Sequence, residues 1–248
     1  MASWSRRTFL LSGLALAAAR LQAQPPASAA QVRRPSASQW WRYIQRDGFH
    51  GGFQATQVDW IQATNGITRI DRHNEAAPTS GSPTSSTPDW LEPFRAQKGG
   101  EILPYEIQQP WGNVLVDPHW DIVQIYETPI PLWPRDLRPG GREWFNTRYH
   151  TPAESTWLAW QQTMFSHGWE RIRVPAGEFN ALRYTNEIVF THTDFARYQS
   201  LRHETLWLAP EVGRWVARES RGTYYINDSS IAQPFNEDFW RWELLDWA

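Results

Sequence analysis

Two proline-and-glycine turns constrain this chain more than any other feature. V-P-A-G-E-F separates Trp169–Val174 from Asn180–Phe190, and A-P-E-V-G separates Glu204–Leu208 from Arg214–Tyr225. In each, proline (Pro175, Pro210) stands second and glycine (Gly177, Gly213) closes the turn, which fits a type I turn ended by a left-handed residue. Paired hairpins of this kind fix the register of four strands, so the last third of the chain is expected to be antiparallel sheet. If the second hairpin is centred on Glu211, Trp207 lies opposite Trp215, Leu206 near Val216 and Glu204 near Arg218.

The rest of the chain follows the same pattern. Phe53–Ile61 and Gly66–Arg72 flank Asn65-Gly66, a strong two-residue hairpin signal that would set Ile61 opposite Ile70. Between Asp89 and Arg142, eight prolines leave room only for short strands, the best being Val114–Val116 and Ile122–Glu127. Two stretches read both ways. Thr151-Pro152-Ala153-Glu154 has the form of a helix start, with Trp157, Trp160 and Met164 at helical spacing; the hairpin context instead favours a strand ending at Ser166-His167-Gly168. At the C-terminus, Trp240, Trp242 and Leu244 alternate as on a closing strand, while Asn236 could cap a helix. The expectation is a mainly β fold: one antiparallel, hairpin-connected curled sheet, an open barrel or clam, over residues 40–248, with little helix. The polar segment 74–88 is expected to be a mobile surface loop.

The first residues carry an address. Ser5-Arg6-Arg7-Thr8-Phe9-Leu10 precedes an apolar run from Leu11 to Ala19 that is too short to span a bilayer, and Ala27-Ser28-Ala29 offers a cleavage site. This looks like a twin-arginine export signal occupying residues 1–29, with Arg6 and Arg7 as its reading frame for the export machinery and 30–39 as a flexible linker. The mature chain is then expected in the periplasm or outside the cell, without a transmembrane segment. Removing Arg6, Arg7 and Arg20 leaves 21 basic against 26 acidic residues, a balance that gives no reason to expect nucleic acid as a partner.

Gly168–Arg183 (G-W-E-R-I-R-V-P-A-G-E-F-N-A-L-R) and Glu204–Val216 (E-T-L-W-L-A-P-E-V-G-R-W-V) together resemble the TapB-like family of bacterial exported proteins, and Pro131–Gly140 does so more loosely. The resemblance implies a β-rich domain with an antiparallel sheet curling into an open barrel or clam. It carries over no catalytic residue, because the shared positions are turns (Pro175, Gly177, Pro210, Gly213) and apolar anchors (Phe179, Trp207, Trp215).

Candidate chemistry is sparse. Cysteine is absent and Lys98 is the sole lysine, which excludes thiolate catalysis and leaves Schiff-base or phosphate-loop chemistry without its motif. Asp117, His119 and Asp121, then His192 and Asp194, alternate and could project from one strand face toward a metal, with His203-Glu204 adding a ligand. Pro118 makes the first set a turn, however, so neither a metal nor any other cofactor is expected. Glu204 and Glu219 are the carboxylates a glycan hydrolase would use, but each has a cross-strand arginine, Arg218 or Arg202, to pair with. Seventeen tryptophans fit either a packed core or a stacking surface for a ligand. The reading that follows is an exported, non-catalytic β-domain that binds an apolar small molecule, a glycan or an envelope protein, with Trp207 and Trp215 as its ligand-contacting pair. The alternative is a secreted glycan-acting hydrolase.

Overall fold

The structure is a computed structural model describing residues 31–63, 67–75, 105–118, 123–226 and 233–248. The export signal, Asn65-Gly66, His119, Asp121 and all of the polar segment but Asn74 fall outside those residues, apart from the backbone of Glu75. The elements are all strands: β1 Trp40–Asp47, β2 Phe53–Ala63, β3 Thr68–Glu75, β4 Tyr105–Gln108, β5 Asn113–Asp117, β6 Gln124–Pro131, β7 Arg142–Thr151, β8 Glu154–Val174, β9 Gly177–Phe190, β10 Arg197–Ala209, β11 Arg214–Ile226 and β12 Phe235–Trp247. Each pairs antiparallel with its neighbours in sequence, and β12 pairs with β1, so the sheet closes into a twelve-stranded barrel rather than an open clam. Every strand thus has a neighbour on both sides, although β6 and β7 meet only through Ile125–His150 and Tyr126–Tyr149.

Both ambiguous stretches are strands. β8 runs unbroken through Ser166-His167-Gly168, where the expected turn is instead a bulge opposite Tyr184 and Arg183, with Gly168 at φ 143°. A bulge keeps the strand going while raising its twist, which a sheet closing on itself requires. The turn that opens β8 lies earlier, between Thr151 and Glu154. Ile61 does pair with Ile70.

Period-two burial separates inner from outer face along much of β8, β9 and β10. Along β10, Ser200, Arg202, Glu204, Leu206 and Leu208 are buried and face inward, while Leu201 and His203 are exposed. The outward positions Glu187, His203 and Arg221 are direct cross-strand partners, as are Thr205, Glu219 and Arg241.

One end of the barrel is stoppered. The proline-rich segment between β6 and β7 folds into its mouth, where the inward Tyr184 donates to Leu132 O at 2.6 Å and Trp169 Nε1 to Leu137 O at 3.2 Å. Residues 31–38, read from sequence as a free linker, are seated across the same end: Arg33 N–H donates to Pro210 O at 2.9 Å. Gly213 makes this possible. At φ 78°, a Cβ there would sit 2.6 Å from Arg33 O, so the turn glycine is also the seat of the N-terminal segment.

Candidate functional site

The second hairpin does not have the expected register. Its loop holds four residues, Pro210–Gly213, closed by Ala209 opposite Arg214, and a bulge next to Leu208 adds one more residue on β11. Trp207 therefore pairs with Ala217 and Trp215 with Leu208, which puts the two tryptophans on opposite faces. Trp215 points inward, is 1% exposed, and stacks on Tyr43 with ring centroids 4.0 Å apart. Trp207 is half-buried outside and donates its Nε1–H to Glu170 at 2.6 Å. The pair shares no surface on which a ligand could rest.

The candidate acids are held by arginines. Glu204, 3% exposed, accepts from Arg218 Nε at 3.1 Å and from Asn186 Nδ2 at 3.3 Å. Its backbone partner is Ser220, so the ion pair with Arg218 is reached along a diagonal and not through the expected register. Arg202 binds elsewhere, to Glu237 and Asp238. Glu219 is bonded to Arg241 on the outer face. Burial, reinforced by the charge of Glu204, drives the Tyr184 phenol far above its ordinary range, which removes it as an acid or base near neutrality.

The proposed metal ligands diverge. His203 is exposed and outward while Glu204 is buried and inward, as alternation dictates. Asp117 lies at the end of β5, buried, within the field of Arg218. His192 and Asp194 are spent within the β9–β10 loop: Asp194 N–H donates to His192 Nδ1 at 2.9 Å, and Asp194 Oδ1 accepts from Ala196 N–H at 2.9 Å. Among the described residues no three such groups gather as a metal site would require. The loop has a pH consequence. Burial first, then the charge of Arg197, holds the His192 pKa below its ordinary 6.5. A lowered histidine stabilises the fold above the unfolded value and loses that contribution as pH falls through the folded one. Protection of the amides across 191–196, taken relative to the intrinsic exchange rate at each pH, is therefore expected to fall below about pH 6.5 in wild type but not in His192→Asn.

Sequence reading missed a buried charge network on the inner face. Arg72 grips Asp59 in fork geometry at 2.8 and 3.0 Å, and Arg214 Nη2 lies 2.7 Å from Glu106 and 3.2 Å from Asp59. Gln57 and Gln108 donate to Asp59 and Glu106 respectively. The Arg214 Nε and Nη1 groups find no oxygen; the guanidinium lies instead 5.2 Å from the Trp41 ring centre and 5.8 Å from that of Trp215. Burial alone would lower the Arg214 pKa, but Glu106 and Asp59 more than reverse this, so it stays charged. Among the described residues two carboxylates and two guanidiniums thus meet, bolting β2, β3, β4 and β11 together across the interior.

The feature shaped for a ligand lies at the stoppered end. A cleft of about 570 Å³ opens between residues 31–34, the β4–β5 turn and the β6–β7 segment. Trp111 and Trp133 form its aromatic wall, edge to face with centroids 5.7 Å apart. Trp111 is anchored by its stack on Trp41 and by donation to Arg33 O at 3.1 Å. Trp133 lies so close over Gly112 that a Cβ there would meet its ring at 2.6 Å, and Gly112 sits at φ 90°. Arg33, Arg34 and Arg135 complete the lining. Among the described residues none of the three has a carboxylate within 4.0 Å, although Arg33 lies over Trp247 and Arg135 over Phe145. Among the described residues the lining holds no Asp, Glu, His, Ser, Thr, Tyr, Cys or Lys. Only the looser motif Pro131–Gly140 pointed here from sequence, and Arg33-Arg34 gave no signal at all.

The fold and this cleft define a closed antiparallel barrel with a cationic, aromatic mouth. No family model and no curated protein matches the chain. Two solved structures are similar in shape. One, from Parabacteroides distasonis ATCC 8503, is provisionally called a lipoprotein; it is 12% identical with a TM-score of 0.46, over 88% of this chain and 99% of that one. The other, from Bacteroides fragilis NCTC 9343, is provisionally called exported and has a YmcC-like fold; it is 10% identical with a TM-score of 0.47, over 88% and 99%.

Proposed function

We propose that this chain is an exported, non-catalytic binding barrel of the TapB-like kind, and that its ligand surface is the cleft at the stoppered end. One observation carries the reading. Among the described residues the cleft offers rings and guanidiniums but no group that can act as acid, base or nucleophile near neutrality, arginine being protonated throughout. The inner face is filled by side chains and ion pairs. Export rests on Arg6-Arg7 and the apolar run behind them.

The test is a screen of purified protein against envelope glycans, lipids and ester substrates, with Glu204→Gln and Glu219→Gln alongside. Glu204→Gln is expected to cost about 1.5–3 kcal/mol of stability, since Arg218 keeps only a neutral partner. Glu219→Gln, on the outer face, is expected to change stability by less than about 1 kcal/mol. Neither is expected to abolish any reaction. Turnover lost specifically in either variant would make the protein a hydrolase.

A further inference from the structure

The geometry points to the class of ligand: we infer that the cleft takes a small anion, a carboxylate or phosphate, carried on a flat apolar body. This rests on the binding reading above. A guanidinium pairs in fork geometry with both head groups, and three arginines without carboxylate partners among the described residues line the cleft. That concentration is not a by-product of a basic chain, because acidic residues outnumber basic ones, 26 to 24. The two carboxylates nearest in the β6–β7 segment and the start of β7 are otherwise engaged: Asp136 is taken by Arg138 at 2.6 Å, and Glu143 accepts from Asp136 N–H at 3.2 Å. Trp111 and Trp133 supply the complementary half, a rigid aromatic wall on which a ring or apolar chain rests at little entropic cost. The volume, about 570 Å³, is that of a small-molecule site.

The seat is also made rather than accidental. Gly112 lets Trp133 close over the β4–β5 turn, and Gly213 lets Arg33 reach across the barrel end. Without those two glycines, neither the ring nor the first guanidinium would be in place.

The experiment is titration of the purified protein with 1-naphthyl phosphate, 1-naphthoate and neutral 1-naphthol, followed by tryptophan quenching and calorimetry. At least one anion is expected to bind about tenfold or more tightly than naphthol, and whichever head group is preferred identifies the source. Arg135→Gln, a change at an exposed side chain, is expected to weaken that anion by about tenfold, leave naphthol where it was and shift the melting temperature little. Arg221→Gln, exposed on β11 away from the cleft, is expected to change neither. Naphthol binding as tightly as both anions, or anion binding indifferent to Arg135→Gln, would overturn the anionic class while the binding reading stood. Absence of binding by all three would overturn the inference outright, and hydrolysis of the naphthyl phosphate would overturn the binding reading instead.

Discussion

Arg214→Ala is expected to destabilise the barrel by about 3–5 kcal/mol, a large fraction of what holds a domain of this size together. The guanidinium is fully buried between Glu106 and Asp59. Truncation leaves two carboxylates that are themselves shut away from water with Arg72 as the guanidinium that still reaches them among the described residues. Packing is lost too, since the same group covers the rings of Trp41 and Trp215. The charge account and the packing account separate in a second variant. Arg214→Met with Glu106→Leu removes one charge of each sign and keeps the volume, and it is expected to regain most of the loss, because a buried pair is worth little more than the apolar groups that replace it. A denaturation midpoint for Arg214→Ala within about 1 kcal/mol of wild type would mean that water reaches the network.

Trp215→Ala is expected to cost a similar about 3–5 kcal/mol. The ring is almost wholly buried, stacked on Tyr43, whose hydroxyl donates to Trp215 O at 3.1 Å. Its removal opens a cavity bounded by sheet, which cannot collapse as a loop could. Trp207→Ala, on the outer face, should cost only about 1 kcal/mol, the value of a partly buried ring. Equal losses at the two positions would contradict the placement of the tryptophans on opposite faces.

Local chemistry explains how much of this was legible. Turn residues and alternation announced strands and hairpins, and the pairing of Ile61 with Ile70 followed from them. The register near Trp215 did not, because a bulge beside Leu208 leaves no mark in composition: Val216 looks like any strand valine. Closure of the sheet was equally hidden, since β1 and β12 meet only in space and Trp41 pairs with Trp247 from opposite ends of the domain. The Asp59–Arg72–Glu106–Arg214 network joins four strands for the same reason. The cleft was the least visible feature. Arg33 and Arg34 read as part of a polar leader, and nothing local tells that Gly213 leaves them room to cross the barrel end.

Native mass spectrometry of the protein taken from its own cells, beside a variant with Arg33, Arg34 and Arg135 all replaced by Gln, tests the central claim most directly. The account predicts a noncovalent small anion retained by the wild type and missing from the variant, with both proteins equally folded. The same adduct on both proteins, or none on either, would contradict it.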